Sequence, residues 1–331
     1  MNYLFEPNLA VANVVLIRFF ILGHSAMKKL AVTSAMALAL ALSANSAMAA
    51  DYEAQVQQLV VSGVVDSWNG YTFVRNVSDT TVDPDSYFSS GLSGRLSLPL
   101  GENLAMQMDG DLEYTDNAFE DDDDGVFEYS GQLGAHLTYR DPNMGAFGVF
   151  GAFGSGNANN DSNDFFAVGG EAQLYVNDLT FYLQGGYLDG EAENQTGPDT
   201  DAFHEAVFVR GVARWFLTPD SRLQGQIAYA TGHQDTSDYD MDIFEWGVRY
   251  DMILAGLPII GDTPVYVGYR GARFDNEGNN GGDDGRYTEH TIMVGSSYSF
   301  GGNTMREFDR VGATLDLPNF GRWVASGQNV D

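Results

Sequence analysis

From residue 104 to residue 114 every second side chain belongs to a different world. Leu104, Met106, Met108, Gly110, Leu112 and Tyr114 share one face, while Ala105, Gln107, Asp109, Asp111 and Glu113 share the other. A strict period of two requires a β-strand with one apolar and one wet side. The pattern recurs at 127–140, where Phe127, Tyr129, Leu133, Leu137 and Tyr139 oppose Glu128, Ser130, Gln132, His136 and Arg140. It recurs again where Phe244, Trp246, Val248, Tyr250 and Met252 oppose Glu245, Arg249 and Asp251. Aromatics gather near the ends of these apolar faces, as expected of the girdles at a bilayer interface. Closed around an axis, such strands turn the apolar face to lipid and the polar face to a lumen.

The spacing predicts about twelve strands, at 59–73, 86–99, 104–115, 127–140, 145–155, 165–176, 179–191, 205–217, 222–232, 242–253, 264–275 and 287–300. Most have the roughly 9 to 11 residues that a tilted strand needs to cross a bilayer. Tight Gly/Asn/Asp/Pro turns at 100–103, 141–143, 177–178 and 218–221 alternate with longer, acidic stretches at 74–85, 116–126, 156–164, 192–204, 233–241 and 276–286. That is the asymmetry of an outer-membrane barrel, with short periplasmic turns and long outer loops. The expected fold is therefore all-β: a transmembrane antiparallel up-and-down β-barrel with both termini in the periplasm. A soluble sandwich also alternates, but it lacks this strand length and loop asymmetry. Two places depart from the pattern. Residues 59–73 mix their faces, so failure of this strand would leave an odd count, and 255–263 reads as a long apolar link on the turn side.

Residues 27–49 read as a secretion signal. Lys28 and Lys29 precede an apolar run at 30–42, and Ala47-Met48-Ala49 gives a small-x-small cleavage pattern. Residues 1–26, interrupted by Glu6 and Arg18, read as a misassigned start or leader, and 50–58 as an N-terminal segment before the barrel at 59–300. The full chain has a net charge of −30. Residues 1–49 hold three bases and one acid, so the remainder carries 13 basic and 45 acidic residues, a net −32, and every base in it is arginine. Such a surface does not attract nucleic acid. With no cysteine, thiol chemistry and disulfides are excluded, and no cofactor is implied.

The last strand contains Met293-Val294-Gly295-Ser296-Ser297-Tyr298-Ser299-Phe300. Gly295, Tyr298 and Phe300 resemble the closing-strand signal of bacterial outer-membrane proteins, in which a glycine precedes two aromatics spaced two apart. The resemblance implies recognition by the barrel-assembly machinery and contact with outer-membrane lipids and lipopolysaccharide. In that family the signal ordinarily ends the chain, whereas residues 301–331 follow here. Over 59–300 the chain resembles porin-like barrels, which implies passive diffusion of small hydrophilic solutes or ions.

The strand phases send Arg95, Arg140, Arg210, Arg214, Arg249 and Arg270 into the lumen as an expected constriction. Asp109, Asp111, Glu113, Glu128, Glu171, Glu245, Asp251 and Glu289 are the expected acidic lining. Glu113, Glu128, Glu245 and Glu289 would lie toward the outer mouth, with Arg95, Arg140 and Arg214 deeper. Asp121, Asp122, Asp123 and Asp124 resemble half a calcium loop and predict weak binding of divalent cations. Residues 301–331 admit three readings: a flexible periplasmic extension, a plug folded into the barrel mouth that narrows the pore, or a tether to the cell wall. A non-conducting structural or adhesive barrel is the alternative to a channel. A hydrolase is the third class, but the four histidines that follow the secretion signal, His136, His204, His233 and His290, show no local pairing with a nucleophile.

Overall fold

The computed structural model describes residues 59–76, 86–115, 127–158, 161–192, 202–234, 240–257, 261–277 and 285–326. Twelve strands form one sheet: β1 (Ser62–Asn76), β2 (Ser86–Pro99), β3 (Leu104–Thr115), β4 (Phe127–Asp141), β5 (Gly145–Ala158), β6 (Asp161–Val176), β7 (Leu179–Ala192), β8 (Phe203–Thr218), β9 (Ser221–Gln234), β10 (Asp240–Leu257), β11 (Gly261–Glu277) and β12 (Gly285–Phe300). Each pairs antiparallel with its sequence neighbours, and β1 pairs with β12 to close the barrel. Closure satisfies every ladder without leaving an edge, which a lipid environment demands. No helix among the described residues is long and apolar enough to cross a membrane.

The seam runs from Gly63 opposite Phe300 to Asn76 opposite Tyr287. The mixed first segment thus completes the ring. A Cβ on Gly63 would fall 2.6 Å from the Phe300 ring, so the glycine leaves room for the aromatic that ends β12. The short turns between β2 and β3, β4 and β5, β6 and β7, and β8 and β9 share one end of the barrel with Ser62 and Phe300; this is the turn end, and the opposite is the loop end. The outside is apolar: Leu92, Leu112, Leu133, Val149, Phe153, Ile227, Val248, Val267, Ile292 and Val294 are all exposed. A slip of one residue in any strand would exchange this face for the wet one, which fixes the register.

Three local expectations change. Most of the apolar 255–263 link is strand, because β10 and β11 extend through it with a register shift between Leu254 and Leu257. A register irregularity between Phe127 and Tyr129 accompanies the burial of Phe127, expected on the lipid face, against Ala158 and Ala325. Nor is the inner face uniformly polar: Phe150, Phe165, Leu188, Phe203, Phe208, Met241, Ile243 and Phe274 point inward and form one buried cluster.

Beyond β12 come two short helices, α1 (Met305–Val311) and α2 (Phe320–Ala325). Thr304 caps α1 by accepting the Glu307 amide at 3.1 Å, while Glu307 reaches back to the Asn303 amide at 3.1 Å, a close variant of the capping box. Asn319 caps α2 by accepting the Arg322 amide at 3.1 Å. The proposed leader, signal and N-terminal segment (1–58) and the acidic run 121–124 lie outside the described residues.

Candidate functional site

The segment after Phe300 threads the lumen from the turn end toward the loop end. At the turn end, α1 is tied across two turns: Arg306 pairs with Asp178, the Arg306 amide donates to the Pro219 carbonyl at 3.1 Å, and Arg310 donates to the Asn177 carbonyl at 2.6 Å. Residues 312–319 then run extended past the inner wall. An extended backbone in a barrel interior must find partners for its amides and carbonyls, and here wall side chains supply them. Gln107 on β3 donates to the Leu315 carbonyl and accepts its amide at 3.3 Å. Gln132 on β4 donates to the Pro318 carbonyl at 2.9 Å and accepts the Phe320 amide at 3.1 Å. Each glutamine offers the donor and acceptor pair that a neighbouring strand would offer. Arg140 donates to the Gly312 carbonyl, Arg214 to that of Thr314 at 2.9 Å, and Arg210 to that of Asp316 at 2.9 Å.

Charge reinforces this seating. Arg214 pairs with Asp309 at 2.9 Å and with Asp316 at 2.8 Å, and Arg210 also pairs with Asp316. Near the loop end, Arg322 is buried and every nitrogen of its guanidinium is engaged. Nε and Nη2 donate to Glu289, Nη1 to Glu113 at 2.8 Å, and Nη2 also to the Tyr87 hydroxyl at 2.7 Å. The Phe127 ring covers the group at 4.5 Å. Burying a guanidinium is tolerated only with such complete pairing.

The aromatics of α2 fill the apolar pocket of the inner wall. Phe320 and Trp323 are fully buried, with ring centroids 5.1 and 5.7 Å from that of Phe208. The approach of α2 to β5 is so close that a Cβ on Gly156 would sit 1.8 Å from the Gly321 carbonyl oxygen. Glycine is required there because backbone meets backbone.

The segment hugs β4 to β8 and leaves a cavity of about 230 Å³ against the rest of the wall. Asp66, Trp68, Arg95, Asp111, Glu113, Arg222, Glu245, Arg249, Tyr266 and Arg270 contribute to its lining, and Asp316 to Asn319 form its inner side. At about 30 Å³ per molecule, the volume would hold roughly eight waters. Ion pairs join strands that are not neighbours. Arg249 of β10 reaches Asp66 of β1 at 3.3 Å, and Arg270 of β11 grips Glu113 of β3 with bonds of 2.7 and 3.0 Å. Arg95 pairs with Asp66 at 2.7 Å, Arg222 with Asp251 at 3.2 Å, and Arg249 also with Asp251 at 2.6 Å. The Arg249 guanidinium stacks 3.4 Å over the Tyr266 ring.

All six arginines expected in the lumen are directed inward, but they divide into two sets. Arg140, Arg210 and Arg214 hold the C-terminal segment, and Arg95, Arg249 and Arg270 bridge the cavity wall. Among the expected acids, Asp109 and Glu171 clamp His136 from both sides at 2.7 and 2.8 Å. Glu113 and Glu289 hold Arg322, Asp111 and Glu245 line the cavity, and Glu128 is half-buried at the loop end. On β12, Gly295 lies opposite Trp68, while Tyr298 and Phe300 face outward. Sequence reasoning missed Asp66, Arg222, Asp309, Asp316 and Arg322 as lumen residues. A signal for the last three was present: β5 and β8 are apolar on both faces (Ala146, Phe150 and Ala152; Phe208, Val212 and Phe216), which calls for an apolar occupant of the lumen. Among the described residues no group of three or more His, Asp or Glu is arranged to hold a metal ion.

No protein-family model matches the chain, and no curated protein is similar to it in sequence. By structure it is similar to an outer membrane channel from Pseudomonas putida F1, at 10% identity over 76% of this chain and 100% of that one, with a TM-score of 0.50. A Pseudomonas aeruginosa FadL homologue matches at 9% identity over 72% of this chain and 90% of that one, with a TM-score of 0.38. At 10% identity the first likeness is one of fold. Together with the closed sheet and its apolar outer surface, it makes the chain a transmembrane β-barrel with the fold of Gram-negative outer-membrane proteins.

Proposed function

We propose that this barrel is a narrow passive channel for small hydrophilic solutes or ions, and that the path is the part of the lumen left free by the C-terminal segment. The observation that carries the reading is the polar cavity beside residues 316–319. A barrel meant only to be filled would pack this side as it packs the other, where Trp323 and Phe320 are fully buried against Phe208. Short turns are periplasmic and long loops external in this fold class, so the segment enters from the periplasm. Lipid, lipopolysaccharide and the assembly machinery are its expected surroundings, and calcium among the outer loops is a further expectation. The Pseudomonas putida protein of similar fold is itself an outer membrane channel.

One observation favours a second reading: the fully paired Arg322 near the loop end could seal the barrel and leave it structural or adhesive. Hydrolysis has less support. His136 is locked between two carboxylates, and His290 accepts or donates a bond to Tyr269 at 2.7 Å. Planar-bilayer recording of the folded protein separates the first two readings. Stable ohmic steps are expected of the channel, and silence from protein that migrates as a folded barrel would establish the sealed one.

A further inference from the structure

The arginines lining the cavity are all engaged with carboxylates, although Arg95, Arg222 and Arg249 share Asp66 and Asp251 between them. Arg95, Arg210, Arg222, Arg249 and Arg270 all lie within 3.3 Å of a carboxylate. Two cavity-lining carboxylates have no such counterpart: neither Asp111 nor Glu245 forms an ion pair among the described residues. Glu245 is only 6% exposed. A carboxylate removed from bulk solvent without a cationic partner takes up a proton unless water or a mobile cation reaches it, and the cavity provides that access. The two flank the arginine bridge: Asp111 is one inward position below Glu113 on β3, and Glu245 is one inward position above the Gly247–Arg270 level on β10. A solute passing the Arg270–Glu113 bridge therefore meets, on each side, a carboxylate that belongs to no ion pair among the described residues.

We propose that Asp111 and Glu245 determine the charge preference of the path and make it selective for small cations over anions. This rests on the channel reading above and assigns its selectivity to two side chains. At about 4 Å and water-like screening, one unit charge changes an ion's energy by about 1 kcal/mol. Because it favours the cation and disfavours the anion by that amount each, each carboxylate is worth roughly thirtyfold in the cation-to-anion ratio.

The test is the reversal potential of single channels of the full chain in a potassium chloride gradient at neutral pH, with folding checked by heat-modifiable migration. The native protein should favour potassium over chloride. Asp111→Asn and Glu245→Gln should each lower the ratio about thirtyfold, and the double variant should bring it to near unity or below. Arg222→Gln, which partly frees Asp251, should raise it. Should the double variant fail to fold, the native ratio and the single variants still decide. A native channel that prefers chloride, or single variants that keep the native ratio, would overturn the selectivity assignment and leave the channel intact. Folded protein without conductance in any form would overturn the channel reading and the assignment with it.

Discussion

Replacing Arg322 with glutamine should release the C-terminal segment from the loop end while leaving the barrel closed. The side chain makes four donor contacts, to Glu289 twice, to Glu113 and to Tyr87. Their loss is unequal. Glu113 keeps Arg270 at 2.7 Å and Asn319 at 2.8 Å, whereas Glu289 keeps only the Tyr87 hydroxyl at 3.1 Å. Breaking a buried pair from one side costs about 3 to 5 kcal/mol, and every 1.4 kcal/mol is tenfold. The population with the segment unseated should therefore rise roughly a hundred- to several-thousand-fold. Lysine should not rescue, because a single ammonium cannot reproduce the planar fork that meets two carboxylates and a phenol. The chain contains no cysteine, so one placed at the buried Ala325 of α2 reports unseating by its rate of reaction with a membrane-impermeant thiol reagent. Equal labelling rates in the Arg322→Gln and native backgrounds, with both barrels folded, would refute the claim that this guanidinium latches the segment.

Trp323→Ala should weaken seating of α2 by about 3 to 5 kcal/mol, the usual result of deleting a fully buried large aromatic; faster amide exchange in 312–326, with barrel strands unchanged, is the readout. Gly156→Val should displace α2 outright, since even a Cβ would overlap the Gly321 carbonyl oxygen at 1.8 Å, and it should label at position 325 as fast as Arg322→Gln. Phe300→Ala should reduce the yield of membrane-inserted barrel, measured by heat-modifiable migration, because Phe300 ends the closing strand at the β1–β12 seam.

The lipid face was legible because lipid imposes one rule on every strand. Leu104 to Tyr114 and Phe244 to Tyr250 obey it without exception, and β3 and β10 form where that rule places them. Phe127 escaped it because the register irregularity beside it depends on how β4 meets β5, a contact between strands rather than a property of either. The inner face obeys no single rule. Half of it meets water and half meets α2, so Phe208 and Arg210, two residues apart on β8, face an aromatic helix and a carboxylate respectively. That residues 312–325 fill the lumen could be suspected from the doubly apolar strands and from Thr304, Glu307 and Asn319, which cap helices too short to show a stripe. Which arginine meets which acid could not be read at all: Arg322 and Glu113 are separated by 209 positions and are joined only by closure of the sheet.

Conductance of the full chain compared with a chain ending at Gly302 tests the account most directly. If a path runs beside the inserted segment, the full chain gives small ohmic steps and the shortened barrel gives larger ones, with weaker discrimination between ions. Equal conductance in the two, both folded, would contradict the claim that residues 303–326 share the lumen with the path.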